Sequence, residues 1–392
     1  MTDNVGMSDS DDSGATTVPD DPSAEGLPPD RPRSIMRKII GGFFSYGVVL
    51  LALWFLFTQM SGQDVSSAVA LISPGLVVLF LALGVVNLAT NWPPITAGLP
   101  GLRIREAAVT NTASAALSNT VPEGGAVATG LNFAMLRSWG FRLDDITAEV
   151  LLTGTWSQMT KYVLLSAALV LVWLQGWGPA GLGWAALIVS VLVAIAFVVL
   201  VLVLSSERFA HRLGRVCDDT WHRVTSLVRR PSDRSFGGDI DRFRKLSVGL
   251  IRFRWSSLTV TTAFSQFTAF AVLFLAVRLM GFDRAQISAA VILLAYSAVL
   301  LASLLIPTPG GLGVAELVLV GVLGYGLPTS AQAALMAAVL LYRLATFLVP
   351  IPIGLVTYLY WRRSKSWRRP VDSRPVMLPS MNSVTEPVAS TP

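Results

Sequence analysis

The chain has 392 residues, of which 53% are hydrophobic and only 14% are charged, and its formal net charge is +6. A soluble domain carries about a quarter charged residues, so this composition excludes an ordinary soluble protein and predicts an integral membrane protein. The basic residues crowd beside apolar segments, which suits anionic lipid headgroups better than nucleic acid.

The first segment, residues 1–35, is predicted to be a disordered acidic tail. Residues 1–30 hold eight Asp or Glu side chains and no Lys or Arg. A stretch with so few apolar residues cannot bury enough surface to fold. Because it is acidic rather than basic, it also gives no sign of a signal peptide.

Residues 36–362 are predicted to form an all-α, polytopic membrane domain. Several of its apolar runs approach the ~20 residues that cross a ~30 Å hydrocarbon core. These runs are Ile39–Phe57, Leu76–Ala89, Val163–Leu174, Leu187–Leu204, Leu258–Val277 and Ala331–Tyr360. Lys and Arg favour the cytoplasmic side, so the basic residues at 31–38 and 362–369 place both termini in the cytoplasm.

The first glycine break, Pro122-Glu123-Gly124-Gly125, interrupts a segment that suits lipid poorly. Residues 104–121 are rich in Asn, Ser and Thr, and residues 125–140 would cover only ~22 Å as a helix. Polar backbone at membrane depth is tolerated only inside protein or beside a cavity. We therefore predict a re-entrant helical hairpin that opens to the cytoplasm, with two full spans as the alternative.

Residues 206–254 form a basic segment between the two halves. It has twelve Lys or Arg residues, which predicts a cytoplasmic location. Apolar residues recur at helical spacing opposite arginines in 207–228, which favours an amphipathic helix in the membrane interface, and a second is expected near Ile240–Arg254. A simple basic connector explains the same residues.

The second glycine break, Pro307-Thr308-Pro309-Gly310-Gly311, repeats the spacing of the first. Gly140 lies 15 residues after Gly125, and Gly326 lies 15 residues after Gly311. We expect the second hairpin to open outside, which gives two inverted half-repeats as in several secondary transporters. The alternative is a pair of chance breaks, because Gly and Pro are common in membrane helices.

The candidate substrate-binding residues combine the break glycines with charges at membrane depth. They are Gly124, Gly125, Lys161, Gly310, Gly311, Glu316 and Arg343. Charges in a membrane usually face the interior or a cavity, so Lys161 and Arg343 are predicted to hold an anionic group. A glycine pair that opens a half-helix leaves backbone N–H groups free, which favours a phosphate.

Each of these residues also has a structural interpretation. In that interpretation the two cations form ion pairs with Glu123 or Glu316, or extend to the membrane interface. The glycines then serve only to allow a tight packing kink.

No set of catalytic residues is evident. The chain has no Walker loop, and its two histidines, His211 and His222, lie in the basic segment. With its single cysteine, Cys217, they match no zinc pattern. We therefore expect no enzymatic activity, no cofactor and no metal.

The run Pro307–Glu316 resembles the signature of the flippase-like transmembrane region of lysylphosphatidylglycerol synthases and their stand-alone relatives. Residues 119–125 resemble that family's other short motif more loosely, with Glu123 where a Pro or a small residue is more usual. The resemblance covers about residues 36–362. It implies movement of an aminoacylated or other lipid between leaflets. The soluble aminoacyl-transferase domain of the full-length synthases is expected to be missing here.

We therefore expect a lipid or lipid-linked glycan translocase of the bacterial inner membrane, acting on an anionic or phosphate-bearing lipid by alternating access. The alternative is a non-transporting membrane subunit that scaffolds a cell-envelope lipid or glycan enzyme, which would then be its partner. The C-terminal tail, 363–392, is predicted to be basic and then disordered.

Overall fold

The computed structural model describes residues 67–121, 124–179, 181–227, 236–306, 308–370 and 373, which form helices and turns with no strand among them. The first helices are α1 (Pro74–Thr90), α2 (Trp92–Gly98), α3 (Ile104–Thr120), α4 (Gly124–Ser138), α5 (Leu143–Leu174) and α6 (Leu182–Ser205). They are followed by α7 (Glu207–Leu227), α8 (Phe236–Leu279), α9 (Ala289–Leu305), α10 (Val314–Leu323), α11 (Gln332–Arg343) and α12 (Pro350–Arg363). The acidic tail and the apolar run Ile39–Phe57 lie outside the described residues.

Five helical segments in the described part of the chain are long and apolar enough to cross a membrane. They are Pro74–Gly98, Leu143–Leu174, Leu182–Val203, Arg254–Leu279 and Thr329–Arg363. Many of their large apolar side chains are exposed, among them Leu192 and Val198 of α6, as expected for helices that face lipid. The prediction of an all-α, multi-pass membrane protein is thus confirmed for these residues.

Two pairs of shorter helices stand between the long ones. α3 and α4 have 17 and 15 residues, and α9 and α10 have 17 and 10. At ~1.5 Å per residue each is shorter than the ~30 Å hydrocarbon core. The members of each pair pack against each other. Each pair ends at a glycine with positive φ, Gly140 (85°) or Gly326 (78°), before the next long helix.

The polar side chains of α3 find partners on the neighbouring helices. The Thr110 hydroxyl donates to Oδ1 of Asn132 on α4 (2.9 Å), and the Thr112 hydroxyl lies 2.9 Å from that of Thr357 on α12. α12 packs closely on α3: a Cβ added to Gly354 would overlap the Thr112 carbonyl. α3 is therefore enclosed by protein, which explains why so polar a helix is tolerated in a membrane domain.

The basic segment differs from its prediction in one respect. α7 confirms a helix over the first amphipathic stretch, but the second does not form a helix of its own. Instead α8 runs for 44 residues from Phe236 to Leu279 and joins that stretch to the following span. No proline interrupts this range, so the backbone continues from the polar segment into the apolar one.

The start of the C-terminal tail, which was predicted to be basic, is ordered against the rest of the domain. The backbone N–H of Arg369 donates to the Ser138 carbonyl (3.0 Å), and the Trp367 ring packs edge-on against Trp139 (6.1 Å between centroids). The indole N–H of Trp361 donates to the Ser138 hydroxyl (3.0 Å). Residues 364–370 therefore hold the end of α4, and the rest of the tail lies outside the described residues except Ser373.

Candidate functional site

The end of α3, just before the first glycine break, meets the second break. The side-chain amide of Asn119, at the end of α3, donates to the Phe347 carbonyl (3.1 Å). The Asn119 Oδ1 atom lies 3.0 Å from the position that a Cβ on Gly310 would take. α3 thus packs against the 3₁₀ turn Pro309–Gly311 that forms the second break. Two segments far apart in the sequence form one site.

Arg343, at the end of α11, is the central charge of this site. Its Nε lies 2.6 Å from Oε1 of Glu316, and its Nη2 donates to the Gly310 carbonyl (3.0 Å). Its Cζ stands 4.6 Å from the centroid of the Phe347 ring, a cation–π arrangement. The exposed fractions of the two charged side chains are only 13% for Arg343 and 14% for Glu316. In this conformation Arg343 and Glu316 therefore form the ion pair that the structural interpretation of these charges expects.

The ion pair leaves hydrogen-bonding capacity unused. Oε2 of Glu316 and the Thr308 hydroxyl are buried and have no hydrogen-bond partner in the described part of the chain. The Nε–H of Arg343 makes a charge contact with Glu316 but no aligned hydrogen bond. Buried polar atoms are normally satisfied, since leaving one unpaired costs about 1–3 kcal/mol. An incompletely satisfied cluster of this kind can form further hydrogen bonds with a polar ligand group.

A π-helical turn, Leu344–Leu348, directly follows Arg343. The N–H of Val349 donates to the Leu344 carbonyl (3.1 Å), five residues earlier. Pro350 and Pro352 follow and have no N–H to donate, so the usual helical ladder is interrupted there. Such turns are frequent at functional sites. This one allows the Phe347 carbonyl to accept from Asn119.

Gly310 is confined on both sides. Its φ is 54°, in the left-handed region, and a Cβ would overlap the Phe347 ring and approach Asn119. Gly311 has a φ of 70°, and a Cβ there would stand 2.9 Å from the Ser303 hydroxyl. Both glycines of the second break are therefore required by the backbone geometry and by close approach.

The two glycines of the first break differ from each other. A Cβ on Gly124 would stand 2.6 Å from the Ser118 carbonyl, so this glycine allows α4 to begin tightly against α3. Nothing lies within 4 Å of a Cβ on Gly125, so this position requires no close approach. Pro122 and Glu123, the suggested partner of a cation, lie outside the described residues.

Lys161 lies apart from the Arg343 pair. It borders a small cleft between α5 and α9 with Gln158, Tyr162, Ser297 and four leucines, and neither Arg343 nor Glu316 borders that cleft. The Ser297 hydroxyl is 1% exposed and has no partner among the described residues. Lys161 forms no ion pair within the described part of the chain. The two cations are linked through α9, which leads from the cleft to the second break.

Sequence reasoning named Gly310, Glu316 and Arg343 but missed the groups that connect them. Asn119, Phe347 and Thr308 had no assigned role, and the π-helical turn was not predicted. The pair of prolines at 350 and 352, inside a long apolar segment, was the available signal for that turn. No group of three or more His, Cys, Asp or Glu side chains suited to a metal ion occurs among the described residues.

Comparison with known families extends the resemblance seen in the break motifs. A family model described as "Lysylphosphatidylglycerol synthase TM region" matches residues 40–354, well over half of the chain. The matched region includes both breaks, Lys161 and the Arg343–Glu316 pair. A search of curated proteins finds no match.

Proposed function

We propose that this chain, which belongs to the family of the lysylphosphatidylglycerol synthase transmembrane region, moves an anionic or phosphate-bearing lipid or a lipid-linked glycan across the bacterial inner membrane. One observation carries the proposal: the end of α3, just before the first break, contacts the second break and the turn that follows Arg343, beside the Arg343–Glu316 pair. Secondary transporters bind their substrates between interrupted helices that meet near the middle of the membrane. Family membership adds support for a role connected with lipids.

In this proposal the two helix pairs are re-entrant hairpins of opposite orientation. The positive-inside rule assigns the ends of the first pair, near Arg103 and Arg137, to the cytoplasm together with both termini. The ends of the second pair, near Ser288 and Gly326, then lie outside. Rocking one hairpin against the other would expose the shared site to each side in turn, as alternating access requires.

The proposed binding step exchanges one anion for another. A phosphate oxygen takes the place of the Glu316 carboxylate on Arg343, where a guanidinium can donate two parallel hydrogen bonds. Nη1 of Arg343 has no hydrogen-bond partner in the described part of the chain, so one donor is available before the exchange. Lys161 supplies a second positive charge along α9. The chain acts as a transporter in this scheme and needs no catalytic residues.

The decisive experiment measures lipid movement by purified protein in vesicles. Proteoliposomes carrying a fluorescent phosphatidylglycerol in both leaflets are treated with a membrane-impermeant quencher, and the protected fraction is followed over time. We expect faster loss of protection than in protein-free vesicles, and slower loss after Arg343→Ala. Arg284→Ala, an exposed arginine in the turn before α9, is the matched control.

If protection is lost no faster than in protein-free vesicles, the proposed lipid translocation is contradicted. If the anionic probe and several lipid-linked glycans all remain in place, the non-transporting scaffold becomes the better description. That alternative is tested directly by copurification of a cell-envelope enzyme.

A further inference from the structure

The most deeply buried acid in the described part of the chain, Glu149, lies outside the site described above. Glu149, on α5, is 2% exposed. Its Oε1 accepts a hydrogen bond from the Thr153 hydroxyl (3.1 Å), while Oε2 is buried with no partner among the described residues. Glu149 forms no ion pair in that part of the chain. A buried ionisable group of this kind is costly in a membrane domain. Its presence therefore indicates a function.

The surroundings of Glu149 are apolar and closely packed. On α2, a Cβ on Gly98 would stand only 3.3 Å from its Cγ. A buried apolar cluster lies beside it, formed by Ala97 of α2, Ala148 and Leu152 of α5, and Leu258 of α8. Glycine at 98 is what lets α2 approach the acid so closely.

Among the side chains that the structure describes, no neighbouring helix supplies Glu149 with a cation. α2 and α6 contain no titratable residue, and α9 contributes only Tyr296, which donates to Gln266 (2.7 Å). On the remaining helices that pack against α5, the charges whose side chains are described are Arg254 and Arg278 on α8, and Arg137 on α4. The other charged residues of α8, from Asp239 to Arg252, lie outside the described side chains. Arg254 donates to the Thr96 carbonyl (3.4 Å), and Arg278 donates to the Phe282 and Asp283 carbonyls (2.9 and 2.8 Å).

On α5 itself, the other charged residues are Asp144, Asp145 and Lys161. Asp144 is exposed, and Asp145 is a buried acid one turn before Glu149. Lys161 lies three turns later, in the cleft beside α9. An ionised carboxylate would thus be enclosed without compensation, so this packing favours the protonated carboxyl group.

We propose that Glu149 is the proton-binding site that couples lipid movement to a proton gradient. The carboxyl group holds one proton while α2 and α8 enclose it, and releases that proton to water when the helices separate. No covalent bond other than O–H forms or breaks. Glu149 lies about 9 Å along α5 from its start, and α5 packs on α9, the helix that leads to the second break. The coupling rests on the translocase proposed above.

The coupling is tested in the fluorescent-lipid proteoliposomes with and without an imposed pH gradient. We expect the gradient to accelerate lipid movement by the wild type and to have no effect after Glu149→Gln. Asp144→Asn is the matched control, since Asp144 is an exposed acid on the same helix, and it should respond as the wild type does. Glu149→Asp keeps a carboxyl group and should retain a response.

Proton binding is measured separately, by infrared spectroscopy of the purified full-length protein during a pH titration. We expect a protonated-carboxyl band that persists at neutral pH in the wild type and in Asp144→Asn and is absent from Glu149→Gln. The absence of this band from the wild type, or its survival in Glu149→Gln, overturns the proton site.

The outcomes distinguish this inference from the translocase itself. If the wild type moves no lipid, the translocase fails and the coupling fails with it, while the infrared band still decides whether Glu149 holds a proton. If lipid moves but the gradient has no effect, or if Glu149→Gln responds as the wild type does, the coupling is wrong and the translocase stands.

Discussion

At the scale of single residues, Arg343 and Glu316 serve both stability and binding. Each neutralises the other in a buried environment, and removing one partner of a buried pair commonly costs about 3–5 kcal/mol. The same guanidinium is the strongest anion-binding group at the breaks. A single substitution therefore mixes two effects, and only a comparison of variants separates them.

We expect Arg343→Lys to yield folded protein with roughly tenfold or greater loss of lipid movement, because Lys lacks the two parallel donors of Arg. Arg343→Ala should lower the thermal unfolding midpoint, because Glu316 stays buried without its cation. The double change Arg343→Ala with Glu316→Ala should regain stability but not transport. Unfolding midpoints and vesicle assays measure both quantities, and a stable, active double variant would contradict the anion site.

The break glycines give a second prediction at this scale. Gly310→Ala should destabilise the protein by roughly 1–2 kcal/mol from its left-handed backbone alone, and further through contact with Phe347 and Asn119. Gly125→Ala should instead stabilise it by about 0.5–1 kcal/mol, because that position is helical and has open space. Thermal unfolding in detergent measures both. If both substitutions change the unfolding midpoint equally, the backbone at Gly310 does not require glycine more than the backbone at Gly125 does.

At the scale of elements, Asn119 joins the first hairpin to the last span. Its amide satisfies the Phe347 carbonyl in the π-helical turn, so movement of α3 is transmitted to the residues that flank Arg343. We expect Asn119→Ala to cost about 1–3 kcal/mol, since it removes a hydrogen-bond donor from a part-buried carbonyl. Lipid movement should also slow.

The neighbouring residue provides the control for this change. The exposed Thr120 bonds only to the Ala116 and Leu117 carbonyls of its own helix (2.9 and 3.4 Å). Thr120→Ala should therefore leave both unfolding and transport nearly unchanged. If Asn119→Ala behaves like Thr120→Ala in both assays, the contact between the hairpin and the last span has no function.

The sequence predicted these elements better than their contacts. Glycine spacing located both helix pairs and both positive-φ turns, because backbone reversal depends on local residue type. The meeting of Asn119 with Phe347 depends on three-dimensional packing and left no periodic signal. Glu149 was missed because an acid near the start of an apolar helix usually faces headgroups, and only its burial shows otherwise. The order in 364–370 likewise depends on Trp139, which is distant in sequence.

At the scale of the whole molecule, the proposed mechanism requires the two halves to face opposite sides of the membrane. Each half contains a long helical segment, two short helices, a glycine turn and a second long helical segment, although the first of these segments is divided into α1 and α2 and the last into α11 and α12. Alternating access by this design needs the first glycine turn inside and the second outside. A parallel arrangement would place both turns on one side, and the shared site would then open in one direction only.

Two equivalent positions test this orientation. Leu143 and Thr329 each lie three residues after the turn glycine of their half, and both side chains are exposed. In a Cys217→Ser background, Thr329→Cys should react with an impermeant maleimide added to whole cells, because the 326–328 turn is proposed to lie outside. Leu143→Cys should react only after the membrane is permeabilised, because the basic residues Arg137 and Arg142 beside it favour the cytoplasm. Ser232 lies outside the described residues. A cysteine there should behave like Leu143→Cys, since the twelve Lys and Arg residues of 206–254 favour the cytoplasm. Labelling of Leu143→Cys and Thr329→Cys from the same side would contradict inverted repeats and, with them, alternating access at the two breaks.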